Sequence, residues 1–124
     1  MTPVAREQAA RAFAACAGLD PEQTATPESA AASGECFRLD TDTGGVYFAL
    51  TFEDRIGWIH AAAGTGTGMT AAGLAAIERK ALAEGCQVVG FQTVRRGLVR
   101  RAKKHGYRIT RQVGAGFVLE KALT

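Results

Sequence analysis

The 124-residue chain is long enough for one modest core, and its 47 % apolar and 22 % charged residues are those of an ordinary globular domain. No apolar run approaches the ~18 residues of a membrane span, and MTPVAREQAA lacks the basic-then-apolar pattern of a secretory leader, so a cytoplasmic protein without a membrane partner is expected. The net charge of +3 hides an asymmetry: residues 1–60 hold four Lys/Arg against nine Asp/Glu, and residues 61–124 hold eleven against three. Such a distribution points to an anionic partner for the second half, either a phosphorylated cofactor or a nucleic acid.

In chain order, TPVAREQAARAFAACAG reads as a helix with Thr2 as its cap, Pro3 in the first turn and Gly18 at its end. Ala9, Ala12, Phe13 and Cys16 share one face at helical spacing. Residues 19–35 read as a loop with a short helix at 28–32. The period then changes to two. CFRLDT (36–41) is a strand, Thr43-Gly44-Gly45 a turn, and VYFALTFE (46–53) alternates Val46, Phe48, Leu50 and Phe52 against Tyr47, Ala49, Thr51 and Glu53. Asp54-Arg55 turns the chain into a third strand, IGWIHAAA (56–63).

Thr70 to Glu84 is a helix with Leu74, Ile77, Ala81 and Leu82 inward and Glu78, Arg79, Lys80 and Glu84 outward. A strand (87–94) follows, then a helix (96–105) with Leu98, Val99 and Ala102 inward, stopped by Gly106. Two short strands close the chain around Val113-Gly114-Ala115. The fold class is α/β: a mixed, mostly antiparallel sheet flanked by helices, in one domain over residues 1–124.

The three cysteines, Cys16, Cys36 and Cys86, form no CxxC pair, so neither a disulfide framework nor a metal site is expected. The stretch GTGTGMTAAGL (64–74) is the strongest chemical signal. It lacks the Lys-Ser/Thr pair of a nucleotide P-loop, because Gly68 is followed by Met69-Thr70. Gly66, Gly68 and Ala71 spell a GxGxxA dinucleotide fingerprint, but a three-strand meander precedes it where that fold would begin. What remains is general: glycine N–H groups, the Thr67 and Thr70 hydroxyls and a helix N-terminus can cradle a phosphate without a charged side chain.

Gly66 and Gly68, followed by a long helix, a strand and the stretch Ala102-Lys103-Lys104-His105-Gly106-Tyr107, resemble the Gcn5-related N-acetyltransferases over roughly residues 36–121. The family's Arg/Gln-x-x-Gly-x-Gly/Ala pattern has Ala63 at its first position here, and Ala102 falls where the family often has a tyrosine acid. The N-terminal segment 1–35 matches least, and the usual first strand has no counterpart in the sequence reading. GFVLEKAL and RRGLVRRAKKHGYRI look like compact phage and prophage members. The resemblance implies an N-acyltransferase of phage type that uses acetyl-CoA or another acyl-CoA. The implied cofactor contacts are Ala62, Ala63, Gly66, Thr67, Gly68, Met69, Thr70 and Arg100.

Acetyl transfer needs a docked thioester, a base for the amine and a proton for the thiolate. His60 is the candidate base, since an imidazole titrates near neutrality; Glu53 is the alternative, beside Asp54. Neither Tyr47 nor Tyr107 lies at the family's acid position. Arg95, Arg96, Arg100, Arg101, Lys103, Lys104, Arg108 and Arg111 occur within 17 residues with no acid among them. Two readings follow: the 3′-phosphate of coenzyme A, or a non-catalytic protein of this fold binding nucleic acid or a phage protein.

Overall fold

A computed structural model describes residues 1–16, 26–66 and 68–123. The elements run β1 (Thr2–Pro3), α1 (Arg6–Cys16), α2 (Pro27–Ala32), β2 (Glu35–Thr41), β3 (Gly44–Glu53), β4 (Ile56–Thr65), α3 (Met69–Ala83), β5 (Val88–Thr93), α4 (Arg96–Lys103), β6 (Arg108–Val113) and β7 (Gly116–Ala122). The strands make one seven-stranded sheet in the order β1-β2-β3-β4-β5-β7-β6. Pairs β1–β2, β2–β3, β5–β7 and β6–β7 are antiparallel. This is the α/β class expected. Gly18, residues 19–25 of the following loop, and Thr67 lie outside the described residues.

Two compact units divide the chain: Met1–Thr51 with Ile59–Met69, and Phe52–Trp58 with Thr70–Thr124. In the first, α1 and α2 lie on β2 and β3. Ala9, Phe13, Ala30, Ala31, Cys36, Ala49, Ala61 and Ala63 form its core. Alanine keeps the helices close to the sheet. The Cys36 thiol donates to the Ala31 carbonyl at 3.3 Å, and burial pushes that thiol up from its ordinary value. The six-residue α2 is held by its cap: the Thr26 hydroxyl accepts from the Ser29 N–H at 3.0 Å, with Pro27 in the first turn.

Three local expectations need correction in this unit. Thr2 and Pro3 do not cap or open a helix; they are the missing first strand, paired Thr2↔Arg38 and Pro3↔Phe37. A residue before proline is held extended, and an edge strand tolerates the absent proline N–H. Nor is Gly44-Gly45 a turn. The turn is Asp42-Thr43, and both glycines sit in β3. A Cβ on Gly44 would collide with the Thr65 carbonyl, so this glycine serves close strand approach.

In the second unit α3 buries Gly73, Leu74, Ala76, Ile77 and Ala81. Leu82 is 50 % exposed, not inward; the inner stripe follows the small residues one turn earlier. Glu78 is not outward either. Its carboxylate accepts from the Tyr107 hydroxyl at 3.0 Å and pairs with the Lys121 ammonium at 2.8 Å. Tyr107 is delivered there by the end of α4, where Gly106 N–H bonds to Lys103 O and Tyr107 N–H to Ala102 O, the paired bonds of a Schellman turn. The β3–β4 loop, Asp54-Arg55, has both residues left-handed, at φ 52° and 64°. That is the type I′ geometry whose twist suits a two-residue hairpin. The Arg55 carbonyl then accepts from Gln87 N–H at 2.7 Å, fixing the start of β5.

Candidate acyl-carrier site

The turn after β4 is built by sterics. Gly66 adopts φ +115°, and a Cβ there would stand 2.5 Å from the Thr43 carbonyl oxygen. Gly68 adopts φ +69°, and a Cβ there would meet nothing within 4 Å. One glycine is therefore required by the wall behind it, while the other faces open space. The wall is the β2–β3 turn. There the Thr41 hydroxyl lies 3.2 Å from the Gly44 carbonyl and 3.8 Å from the Met69 sulfur.

The turn runs directly into α3, a 15-residue helix with no acidic residue in its first turn. Its unpaired N–H groups and positive dipole end thus carry no competing carboxylate. Thr70 is in that first turn. Its hydroxyl accepts from the Arg101 Nε at 3.3 Å. A Cβ placed on Gly97 would lie 3.3 Å from a terminal nitrogen of Arg101 and 3.8 Å from one of Arg100. Two guanidinium groups therefore gather over the first turn of α4. The glycine turn offers backbone N–H groups and open space, and the arginines offer charge and bidentate forks. By themselves the donors of the glycine turn fit a diphosphate, and the forks of the two arginines fit a phosphate.

Along β4, Ala61 and Ala63 are buried while His60, Ala62 and Gly64 are exposed. Ala63 can thus contribute only its backbone to a ligand. The His60 Nε2 lies 2.9 Å from the Thr51 hydroxyl, in the same unit. Thr51 was not a candidate in the sequence. The signal was there, because residues nine apart that flank a two-residue turn fall on facing strands. Glu53 is exposed at the end of β3, beside the Asp54-Arg55 turn.

Two other groups able to donate a proton, Tyr107 and Cys86, are withdrawn from solvent. Tyr107 is 2 % exposed. Burial first, and then the charge and hydrogen bond of Glu78, hold its phenol far above the ordinary tyrosine value. Cys86 is buried, and desolvation raises its thiol. Ala102 is completely buried at the position where the family's tyrosine would stand. Arg101 stood in the sequence as one of eight clustered cations, but its contact with Thr70, across 31 positions, and the place of Gly97 had no signal there. No group of three or more His, Cys, Asp or Glu comes together among the described residues. No helix there is long and apolar enough to cross a membrane.

No protein-family model matches the chain, and no curated protein matches it. Solved structures do. The aminoglycoside 6′-acetyltransferase type Ii superposes with a TM-score of 0.67 at 11 % identity, over 99 % of this chain and 96 % of that one. A Klebsiella pneumoniae protein named for acyl-CoA N-acyltransferase activity gives 0.63 at 17 % identity, over 95 % and 89 % of the two chains. A Desulfovibrio desulfuricans protein, named an acetyltransferase of the GNAT family, gives 0.64 at 13 % identity over 96 % and 92 %. At these identities the likeness speaks for architecture alone. With the strand order and the β4–α3 glycine turn, it establishes that this chain has the fold of the Gcn5-related N-acetyltransferases.

Proposed function

We propose that the protein is an acyl-CoA-dependent N-acyltransferase. The observation that carries this reading is the β4–α3 turn: Gly66 pressed against Thr43, Gly68 open to space, and an acid-free helix N-terminus behind them. The names of the fold neighbours, each an acetyl- or acyltransferase, support the same reading. When bound, the acyl-CoA supplies a thioester whose carbonyl carbon accepts an amine and whose sulfur leaves.

The protein's own residues then divide the work. The backbone from Gly66 to Thr70 holds the diphosphate by N–H donation. Arg100, with Arg101 steadied on Thr70, receives the 3′-phosphate. The β4 backbone at Ala62 and Ala63 lies along the acyl arm. His60 takes the amine proton as the new C–N bond forms, and Thr51 fixes the imidazole's orientation. Glu53 is the alternative base. The departing thiolate draws its proton from water, since Tyr107 is buried and engaged by Glu78.

The variant Gly68→Glu tests this assignment. A carboxylate there would occupy the open space with the wrong charge. Forcing a side chain into the left-handed region costs about 1–2 kcal/mol of stability. Titration calorimetry should find acetyl-CoA binding by the parent and none by the variant, with circular dichroism showing both folded. Equal binding by the two proteins would remove the glycine turn from the site.

A further inference from the structure

We propose that the outward face of α4 and the edge strand β6 form a docking surface for the phosphate backbone of a nucleic-acid duplex, bound without reading its bases. The proposal does not rest on the acyltransferase reading. Arg96, Arg100, Lys103, Lys104, Arg108 and Arg111 are all exposed. Among the described residues none of them forms an ion pair. Elsewhere on the same protein exposed cations do pair: Lys80 with Glu84 one turn away, and Arg38 with Asp40. A surface built only for solubility intersperses both signs. Here residues 95–111 contain no acid. Glu120 stands opposite Arg108 in the β6–β7 register, and Glu120 is only partly exposed.

The placement of the charges favours a regular polyanion. Arg96, Arg100 and Lys104 recur every four residues, so they form a row with steps of about 6 Å along the helix. Val99 and Ala102 bury the opposite face and keep that row outward. β6 ends the sheet, and all six of its residues are exposed. Its outer edge adds backbone N–H donors to Arg108 and Arg111, and such donors are ordinary phosphate ligands.

Chemistry decides against the rival occupants. A protein partner needs aromatic or aliphatic anchors at the centre of its interface. Tyr107 is 2 % exposed, and the exposed large apolar residues of this surface are two separate aliphatic side chains on β6, Ile109 and Val113. A second copy pairing through β6 would set arginines across from arginines, which destabilises a strand pair. Tyr107 is buried and His105 is the exposed ring of this segment, so contact is chiefly to phosphates and carries little sequence preference.

The test is fluorescence anisotropy with a labelled duplex DNA of arbitrary sequence, at 50 and 200 mM salt. Four phosphate contacts predict a slope near −3.6 in log K against log salt, or about a 150-fold loss across that range. The variant K104Q/R108Q/R111Q removes three of them. It should bind weakly and lose less than about tenfold over the same range. Its circular dichroism and thermal unfolding should match the parent's, which reports its folding whether or not the protein binds acetyl-CoA. Polyglutamate at equal charge should fail to displace the duplex. The proposal is overturned by absence of binding at 50 mM salt, by unchanged duplex binding in the variant, or by polyglutamate competing as well as DNA. The last outcome would point to an acidic protein partner instead.

Discussion

His60 carries more of the proposed chemistry than any other side chain, and what distinguishes it is its neighbour. A histidine on an exposed strand face is free to rotate about two torsions. The Thr51 hydroxyl at 2.9 Å restricts that freedom and fixes which ring nitrogen faces away. General-base catalysis by a positioned side chain is worth about 10²–10⁴ in rate. His60→Gln should therefore lower kcat by that order and leave the KM for acetyl-CoA nearly unchanged. Thr51→Val should lower kcat several-fold, and stopped-rate assays of thiol release over pH 6–9 would compare the two. A kcat for His60→Gln equal to the parent's would transfer the role to Glu53. The sequence made His60 and the glycines visible because their chemistry is local. It left Arg101 and Thr70 unconnected, since a contact across 31 positions depends on how α3 and α4 pack.

At the scale of elements, the joint between α3, the end of α4 and β7 rests on one carboxylate. Glu78 accepts from Tyr107 and from Lys121, with the Lys121 ammonium also 5.8 Å from the Tyr107 ring centroid. The phenol's folded value is raised, chiefly by burial. Its contribution to stability is complete below the unfolded tyrosine value of about 10 and is lost as pH rises beyond it. The parent should lose stability above that pH, by denaturant titration, more steeply than Tyr107→Phe. At neutral pH the same variant should cost about 1.5–3 kcal/mol, the worth of a hydrogen bond to a charged acceptor.

The β3–β4 hairpin offers a second test at this scale. Arg55 sits at φ 64°, a conformation that costs an L-residue about 1–2 kcal/mol. Arg55→Gly keeps the carbonyl that Gln87 needs, so after the entropic cost of glycine it should gain about 0.5–1 kcal/mol. Thermal unfolding should shift upward by a few degrees, and a fall would mean that the Arg55 side chain contributes to the turn. Periodicity found most elements to within a residue or two because β3 and α3 repeat their patterns over 10 and 15 residues. It missed β1, where two residues carry no period, and it sent Glu78 outward, because a charged residue on a helix reads as solvated until its partners are known.

At the scale of the molecule, charge separation and topology say complementary things. The excess of acids before residue 60 and of bases after residue 61 was plain in the sequence. So was the order of elements that brings a glycine turn between a strand and a long helix. What the sequence lacked was how the basic residues divide in space. Arg100 and Arg101 gather over Gly97, while Lys104, Arg108 and Arg111 continue outward along α4 and β6. That division depends on side-chain direction, which no composition records.

If the glycine turn holds the diphosphate of an acyl-CoA, the cofactor binds, and its 3′-phosphate adds to the affinity. Calorimetric titration with acetyl-CoA, and with its analogue lacking the 3′-phosphate, tests it most directly. Micromolar binding is expected, weakening by about tenfold or more, at least about 1.4 kcal/mol, without that phosphate. Absence of binding heat by a folded protein at high concentration would contradict it.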